Sequence, residues 1–176
     1  MYYSRLVEKE IELKLRTSGA VVVAGPKFCG KTTTCMLFQK SFVKLNTKQS
    51  IAMARMNPKA VLQGEKPRLI DEWQALPPIW DSIRSEVDKR GEPSQFILTG
   101  SSVLPEADET IHSGTGRFAH IKMRPMSLYE SGESNGKVSL KDLFDGKVFE
   151  PQTNDLDIND IAYLTCRGGW PWATLI

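Results

Sequence analysis

The sequence predicts an α/β fold, with a parallel sheet of five strands covered by helices on both faces. The first observation is the run Ala-Val-Val-Val-Ala at residues 20–24, a continuous apolar stretch typical of a strand buried on both faces. The second is that four further short apolar runs follow, separated by segments with helical patterning. Strands that alternate with helices pair in parallel, because each crossover helix packs back onto the sheet. We therefore expect a three-layer α/β/α sandwich.

The predicted elements follow one another in a regular order. Strands are expected at residues 20–24, 41–45, 68–71, 95–99 and 119–123. Helices are expected at residues 3–16, 32–40, 79–89, 139–144 and 158–166, and in two pieces within 50–63 that Asn57-Pro58 separates. From about Ser131 glycine and asparagine become frequent, and residues 151–154 resemble a linker. We expect a core domain at residues 1–130, followed by an irregular segment at residues 131–176.

The composition is that of an ordinary globular protein with a small charge excess. The chain has 176 residues, with 23 Lys and Arg, 21 Asp and Glu, and a formal net charge of +2. This balance gives no specific argument for binding to nucleic acid or to a membrane surface. The three cysteines form no C-x-x-C pair, which favours a reducing compartment, and the charged N-terminus has no apolar signal core. We therefore predict a cytoplasmic protein without a membrane partner.

A phosphate-binding motif occupies residues 25–32. The residues Gly-Pro-Lys-Phe-Cys-Gly-Lys-Thr match G-x-x-x-x-G-K-[ST] at every fixed position, between a predicted strand and a predicted helix. The pattern suits a triphosphate, because curled backbone N–H groups and the next helix's N-terminal amides can surround the anion. We expect Lys31 to reach the β- and γ-phosphates and the Thr32 hydroxyl to ligate Mg²⁺. The predicted nucleotide-binding residues are Gly25, Pro26, Lys27, Phe28, Cys29, Gly30, Lys31, Thr32 and Thr33.

Two carboxylates, Asp71 and Glu72, follow the apolar part of the third predicted strand. Ligands of open α/β sheets bind at the carboxyl ends of the strands, so this pair should lie near the phosphate loop. We expect Asp71 to hold the Mg²⁺ shell and Glu72 to polarise the water that attacks the γ-phosphate. The alternative interpretation is an exposed acidic turn before Trp73.

Two further residues complete the predicted catalytic set. Ser101 follows the fourth strand and should open at the same edge, where its hydroxyl could bond the γ-phosphate or the attacking water; Thr99 is the second choice, and a helix cap is the alternative role for Ser101. Arg117 precedes the fifth strand, where an arginine could contact phosphate in cis or in trans, or could be an ordinary surface residue. The predicted catalytic residues are Lys31, Glu72, Ser101 and Arg117, and the predicted metal ligands are Thr32 and Asp71.

Together these motifs resemble a family of archaeal and bacterial AAA-type P-loop ATPases. The resemblance rests on the phosphate loop and on Leu-Ile-Asp-Glu-Trp-Gln at 69–74, Phe-Ile-Leu-Thr-Gly-Ser at 96–101, Gly-Arg at 116–117, Arg-Pro-Met-Ser-Leu-Tyr-Glu at 124–130 and Arg-Gly-Gly-Trp-Pro at 167–171. It implies an AAA-like P-loop NTPase fold, with the phosphate-loop strand beside the fourth strand, and ATP as the nucleotide. It also implies the Mg²⁺ and catalytic roles given above for Lys31, Thr32, Asp71 and Glu72.

Members of this family usually continue from the P-loop ATPase core into a lid and a C-terminal domain of unknown function. The resemblance therefore implies that residues 1–130 are the ATPase core and that residues 131–176 begin a lid or C-terminal region. Because this chain stops shortly after Gly-Gly-Trp-Pro, we expect a truncated product whose missing part would carry the effector function and oligomer contacts. The favoured function is Mg²⁺-dependent ATP binding and hydrolysis coupled to an unknown effector, in a chain that could form a homo-oligomer. A regulatory nucleotide-binding module with negligible turnover is the alternative. A GTPase is a weaker one, because neither D-x-x-G after the third strand nor [NT]-K-x-D is present.

Overall fold

The computed structural model describes residues 2–101, 114–150 and 155–175. The chain divides into two compact units, Arg5–Arg124 and the combination of Met1–Ser4 with Pro125–Ile176. The first unit contains the β-sheet. In the described residues, the second contains only short helices and turns.

The sheet has five strands, all parallel. They are β1 (Ala20–Ala24), β2 (Ser41–Lys44), β3 (Arg68–Asp71), β4 (Phe96–Gly100) and β5 (Phe118–Lys122). Their order across the sheet is β2-β3-β4-β1-β5, so β1 lies between β4 and β5 and β2 forms one edge. The predicted parallel sheet and the predicted pairing of the first and fourth strands are confirmed. Because the strands are parallel and adjacent, the carboxyl ends of β1, β4 and β3 lie side by side at the same end of the sheet.

Among the residues that the structure describes, five α-helices accompany the sheet and three lie in the second unit. The first five are α1 (Val7–Thr17), α2 (Lys31–Cys35), α3 (Lys48–Met56), α4 (Pro58–Leu62) and α5 (Ile79–Arg90). The others are α6 (Leu128–Ser131), α7 (Leu140–Phe144) and α8 (Ile158–Arg167). The predicted break between α3 and α4 is confirmed: Asn57 ends α3, and its side chain accepts from the Ala60 N–H at 3.2 Å. Among the described residues, no helix combines the length and the apolar composition needed to cross a bilayer.

Two sequence-based boundaries differ from the structure by four residues or more, whereas the others differ by one or two residues at most. The first helix begins at Val7 instead of residue 3. The helix after the phosphate loop ends at Cys35 instead of residue 40. There the backbone tightens, because Leu37 N–H donates to the Thr34 carbonyl and Phe38 N–H to the Cys35 carbonyl, both three residues back.

The core has two halves, one on each face of the sheet. Val21 and Val23 of β1 contribute to the half that contains Ile11 and Leu15 of α1. Alternate residues of the same strand, such as Val22, contribute to the half that contains apolar residues of α3, α4 and α5. Because successive strand residues point to opposite faces, both faces of the sheet are buried. The unit is thus the predicted three-layer α/β/α sandwich.

Candidate nucleotide-binding site

The phosphate loop joins β1 to α2 and needs glycine at two positions. Gly30 has a φ of 98°, in the left-handed region that favours glycine. At Gly25 a Cβ would overlap the carbonyl oxygen of Met123 and lie 3.3 Å from the Cys29 sulfur. Phe28 also has a positive φ, 64°, which is uncommon for a bulky residue, and its side chain is exposed. The loop is therefore a tightly curled backbone packed against the residue that follows β5.

The Lys31 side chain folds over the loop to which it belongs. It is buried, and its Nζ donates to the carbonyl oxygens of Gly25 at 2.9 Å and Pro26 at 2.8 Å. These acceptors are neutral, and a phosphate oxygen is a stronger acceptor for an ammonium group. The lysine is thus held at the start of the loop, where an anionic ligand could take over its hydrogen bonds.

A buried arginine that sequence reasoning missed stabilises the phosphate loop through a hydrogen bond to its backbone. The Arg5 guanidinium donates to the carbonyl oxygen of Cys29 at 2.7 Å and to that of Arg124 at 2.8 Å. In a trans peptide the C=O and the following N–H point in opposite directions. By holding the Cys29 carbonyl, Arg5 therefore fixes the direction of the Gly30 N–H. Arg5 lies some twenty residues before the motif, and no local pattern marks it.

The two predicted metal ligands lie together beside the loop. The Thr32 hydroxyl donates to Asp71 Oδ1 at 2.8 Å, and the Thr99 hydroxyl donates to the same oxygen at 2.5 Å. Asp71 and Thr99 are buried, and the Lys44 ammonium lies 3.8 Å from the other oxygen of Asp71. Sequence reasoning ranked Thr99 second for a phosphate contact; the structure instead directs its hydroxyl at Asp71.

The donor atoms of this cluster fit a hard cation. They are one carboxylate and one accessible hydroxyl, and Mg²⁺ commonly takes one or two carboxylates while retaining several waters. Among the described residues, no group of three or more His, Cys, Asp and Glu forms a transition-metal site. The nearby Cys35 thiol is not a competing ligand, because burial above all, and also the Asp71 charge, raise its pKa and keep it protonated.

Glu72 and Ser101 meet at the same edge, linked by Gln74. Glu72 adopts a left-handed backbone, with a φ of 58° and a ψ of 41°, which costs a non-glycine residue free energy. The Gln74 side-chain N–H donates to Glu72 Oε2 and, at 3.5 Å, to Ser101 Oγ. A Cβ on Gly100 would overlap Gln74 Oε1, so that glycine leaves room for the amide. Sequence reasoning assigned no site role to Gln74, although it lies only two residues after Glu72.

Arg117 lies at the opposite end of the sheet, where the strands begin. It directly precedes β5, whereas the phosphate loop follows the neighbouring parallel strand β1. The five residues of β1 therefore separate it from the loop by about 16 Å at about 3.3 Å per residue. Its guanidinium donates to Asp88 at 2.8 Å, and this contact raises the pKa of Arg117 and lowers that of Asp88. The parallel topology places this arginine at the end of β1 opposite to the phosphate loop, which argues against the expected phosphate contact in cis. A contact in trans stays a prediction.

Comparisons with known proteins identify the family. The family described as "AAA domain" matches residues 17–132, which include the loop, the Asp71–Glu72 pair and Ser101. The chain belongs to the AAA domain family. This AAA domain is therefore a nucleotide-binding module of the ATPase type. Membership in the AAA domain family is consistent with the strand order of the sheet and with the polar residues at the carboxyl ends of β1, β3 and β4.

The AAA domain also matches curated mycobacterial proteins and several solved structures. The uncharacterized proteins Rv2008c of Mycobacterium tuberculosis and Mb2031c of Mycobacterium bovis are each 26% identical to it over 124 residues, which is 68% of this chain. The chain spans 28% of the length of either relative. The structure of C. elegans PCH-2 aligns with 73% of this chain and 45% of its own, at 14% identity and a TM-score of 0.39.

Proposed function

We propose that this AAA domain binds ATP with Mg²⁺ at the phosphate loop and hydrolyses the β–γ phosphoanhydride bond. The observation that carries the proposal is the hydrogen-bonded cluster of Thr32, Asp71 and Thr99 directly beside the loop. It gathers the hydroxyl and the carboxylate that a Mg²⁺–triphosphate complex needs, next to a lysine that folds over the loop.

Binding would begin with an exchange of hydrogen bonds at Lys31. Its ammonium leaves the carbonyls of Gly25 and Pro26 for the β- and γ-phosphate oxygens, which are charged acceptors. The N–H groups of Gly30 and Lys31, at the N-terminus of α2, then face the phosphates. Thr33 follows Thr32 in the first turn of the helix, and its exposed side chain completes the nucleotide-binding set.

Asp71 and Thr32 would hold the metal. The Thr32 hydroxyl, which now donates to Asp71, would bind the cation together with that carboxylate, and Thr99 would keep the carboxylate oriented. When bound, Mg²⁺ supplies positive charge that neutralises the oxygens of the phosphates. The Asp71 side chain needs little reorganisation for this role, because it is already buried and oriented by hydrogen bonds.

Glu72 would take the proton of the attacking water. The water oxygen bonds the γ-phosphorus, the bond to the bridging β–γ oxygen breaks, and ADP leaves while Glu72 accepts the proton. Gln74 positions Glu72 through the amide hydrogen bond, and Ser101, near the same amide, faces the γ-phosphate or the water. The effector process that uses this energy is a separate question from the chemistry of the site.

The test measures nucleotide affinity by calorimetry and phosphate release in parallel, on the same protein samples. Lys31→Ala should lose ATP affinity, and Asp71→Asn should lose the Mg²⁺-dependent part of it. Glu72→Gln should bind ATP nearly as the unmodified chain does and lose turnover by about 10²- to 10⁴-fold. Lys89→Ala, at an exposed lysine of α5, is the control and should change neither quantity.

Each outcome has a definite meaning. Unchanged ATP affinity in folded Lys31→Ala would refute the site. Tight ATP binding with no phosphate release in the unmodified chain would establish the regulatory module instead. Preference for GTP over ATP would favour the GTPase. Turnover per chain that rises with protein concentration would indicate a homo-oligomer in which a neighbour contributes, and Arg117→Ala tests whether that residue is the contributor.

A further inference from the structure

One segment of this chain has a strongly positive net charge. Between Gly25 and Gly64 there are seven Lys and Arg residues and no Asp or Glu, so all 21 carboxylate residues lie elsewhere. The net charge of +2 for the whole chain conceals this asymmetry. A segment with one sign of charge creates a local potential that the total does not reveal.

The structure places most of these cations around one edge of the sheet. Lys27 and Lys31 belong to the phosphate loop. The other five flank the edge strand β2 and the two helices that follow it, and all five side chains are exposed: Lys40, Lys44, Lys48, Arg55 and Lys59. Lys40 precedes β2 and Lys44 ends it, whereas Lys59 belongs to α4, which packs on α3. We call these five residues the basic edge.

Within α3 the two cations share one side of the helix. Lys48 and Arg55 are seven residues apart, which is about two helical turns. Ala54 and Ile51 of α3 pack into the core, whereas the side chains of Lys48 and Arg55 are exposed. The cations of the helix are therefore directed away from the core and toward solvent.

The basic edge also lacks the ion pairs that neutralise cations elsewhere in this protein. On α1, Lys14 pairs with Glu10, and on α5, Arg90 pairs with Glu86. In the basic edge only Lys44 has a carboxylate within 4 Å, the buried Asp71 at 3.8 Å; the other four have none among the residues that the structure describes. Their positive charge is consequently left to solvent and to any anionic partner.

We propose that the basic edge binds the phosphodiester backbone of a nucleic acid. Four of its five cations are lysines, a residue type depleted from protein–protein interfaces. Phosphate contacts are made by Lys and Arg together with neutral polar side chains such as Asn and Gln. Exposed side chains of that kind lie between the cations or shortly after the last one: Asn46, Gln49, Asn57 and Gln63. Contacts of this type reach the backbone and not the base edges, so the binding is independent of sequence.

The experiment measures fluorescence anisotropy of a labelled duplex of about 30 base pairs, and of one of its single strands, against the full chain without ATP. The triple variant Lys48→Gln, Arg55→Gln, Lys59→Gln removes three phosphate contacts and leaves the phosphate loop intact. The slope of log affinity against log salt on the duplex should become shallower by about 2.7, at about 0.9 per contact. Between about 50 and 200 mM salt, the unmodified chain should then lose about 40-fold more affinity than the variant.

The control is a second triple variant with the same change in net charge, Lys9→Gln, Lys89→Gln, Lys137→Gln, at exposed lysines outside the basic edge. It should keep the affinity and the salt slope of the unmodified chain. ATP affinity and thermal unfolding should be the same in all three proteins, which separates this proposal from the proposed ATPase function.

Three results would overturn the proposal. The first is no binding of either nucleic acid at the lowest salt, and the second is an equal loss of affinity in the two triple variants. The third is a polyglutamate peptide that binds as tightly as the duplex and loses as much affinity in the Lys48, Arg55 and Lys59 variant. The basic edge would then be a binding site for an acidic protein segment.

Discussion

The substitution Thr99→Val isolates one hydrogen bond of the candidate metal site. Valine nearly matches threonine in shape but cannot donate to Asp71, whose Oδ1 now receives the Thr99 hydroxyl at 2.5 Å. Both side chains are buried, so water does not replace the lost donor. A hydrogen bond to a charged group contributes about 1.5–3 kcal/mol to stability. For a chain of this size that loss corresponds to a fall in Tm of about 3–12 °C.

The assay is thermal unfolding without nucleotide, followed by calorimetric titration with ATP in the presence and absence of Mg²⁺. Thr99→Ser should recover most of the stability, because it restores the hydroxyl and loses only a methyl group. The matched control is Thr17→Val: that hydroxyl is exposed and contacts backbone carbonyls at 3.3 Å, so its loss should hardly change Tm. Because Thr99 orients Asp71, Thr99→Val should also reduce the gain in ATP affinity that Mg²⁺ provides.

A Tm for Thr99→Val within about a degree of the unmodified chain would refute this reasoning. It would mean that the buried carboxylate finds another donor, or that the hydroxyl does not hold it. Reduced stability in both Thr99→Val and Thr99→Ser would be a different failure, because a packing defect would then explain the loss.

Three further predictions concern residues around the site. Gln74→Ala should leave ATP affinity unchanged and lower turnover at least about tenfold, because Glu72 loses the amide that positions it; equal turnover would dismiss that role. Arg5→Gln should weaken ATP binding, because it removes two charge-assisted hydrogen bonds worth about 1.5–3 kcal/mol each that hold the loop. The control Arg16→Gln, at an exposed arginine, should leave ATP affinity unchanged, and calorimetry measures both variants. Arg117→Ala should bind ATP with unchanged affinity, and a tenfold loss would contradict its placement at the far edge of the sheet.

Much of the fold could be predicted because its signals are local. The run at residues 20–24 is apolar throughout because both faces of β1 are buried, and the structure has a strand at those residues. Asn57-Pro58 divides α3 from α4 because proline restricts the residue before it and suits the first turn of the next helix. Helix α2 was predicted too long, because the tightening of the backbone beyond Cys35 leaves no mark in the side-chain pattern.

The candidate site separates what sequence determines from what the tertiary structure decides. The motif at residues 25–32 and the Asp71–Glu72 pair are contiguous, and their chemistry depends on residue type and spacing, so the sequence alone points to them. The buried Thr99–Asp71 hydrogen bond joins side chains 28 residues apart, and it exists because β3 and β4 are neighbours in the sheet.

The positions of two arginines relative to the phosphate loop depend on the tertiary fold and could not be read from the sequence. The sequence predicted a phosphate contact for Arg117 because it precedes a strand. In a parallel sheet, however, all strands begin at the end opposite to the phosphate loop, and Arg117 lies there. Arg5 braces the loop because α1 packs on the same face of the sheet as Cys29. A residue's type is local information, whereas the edge of the sheet to which it is carried depends on strand order and direction, which involve the whole chain.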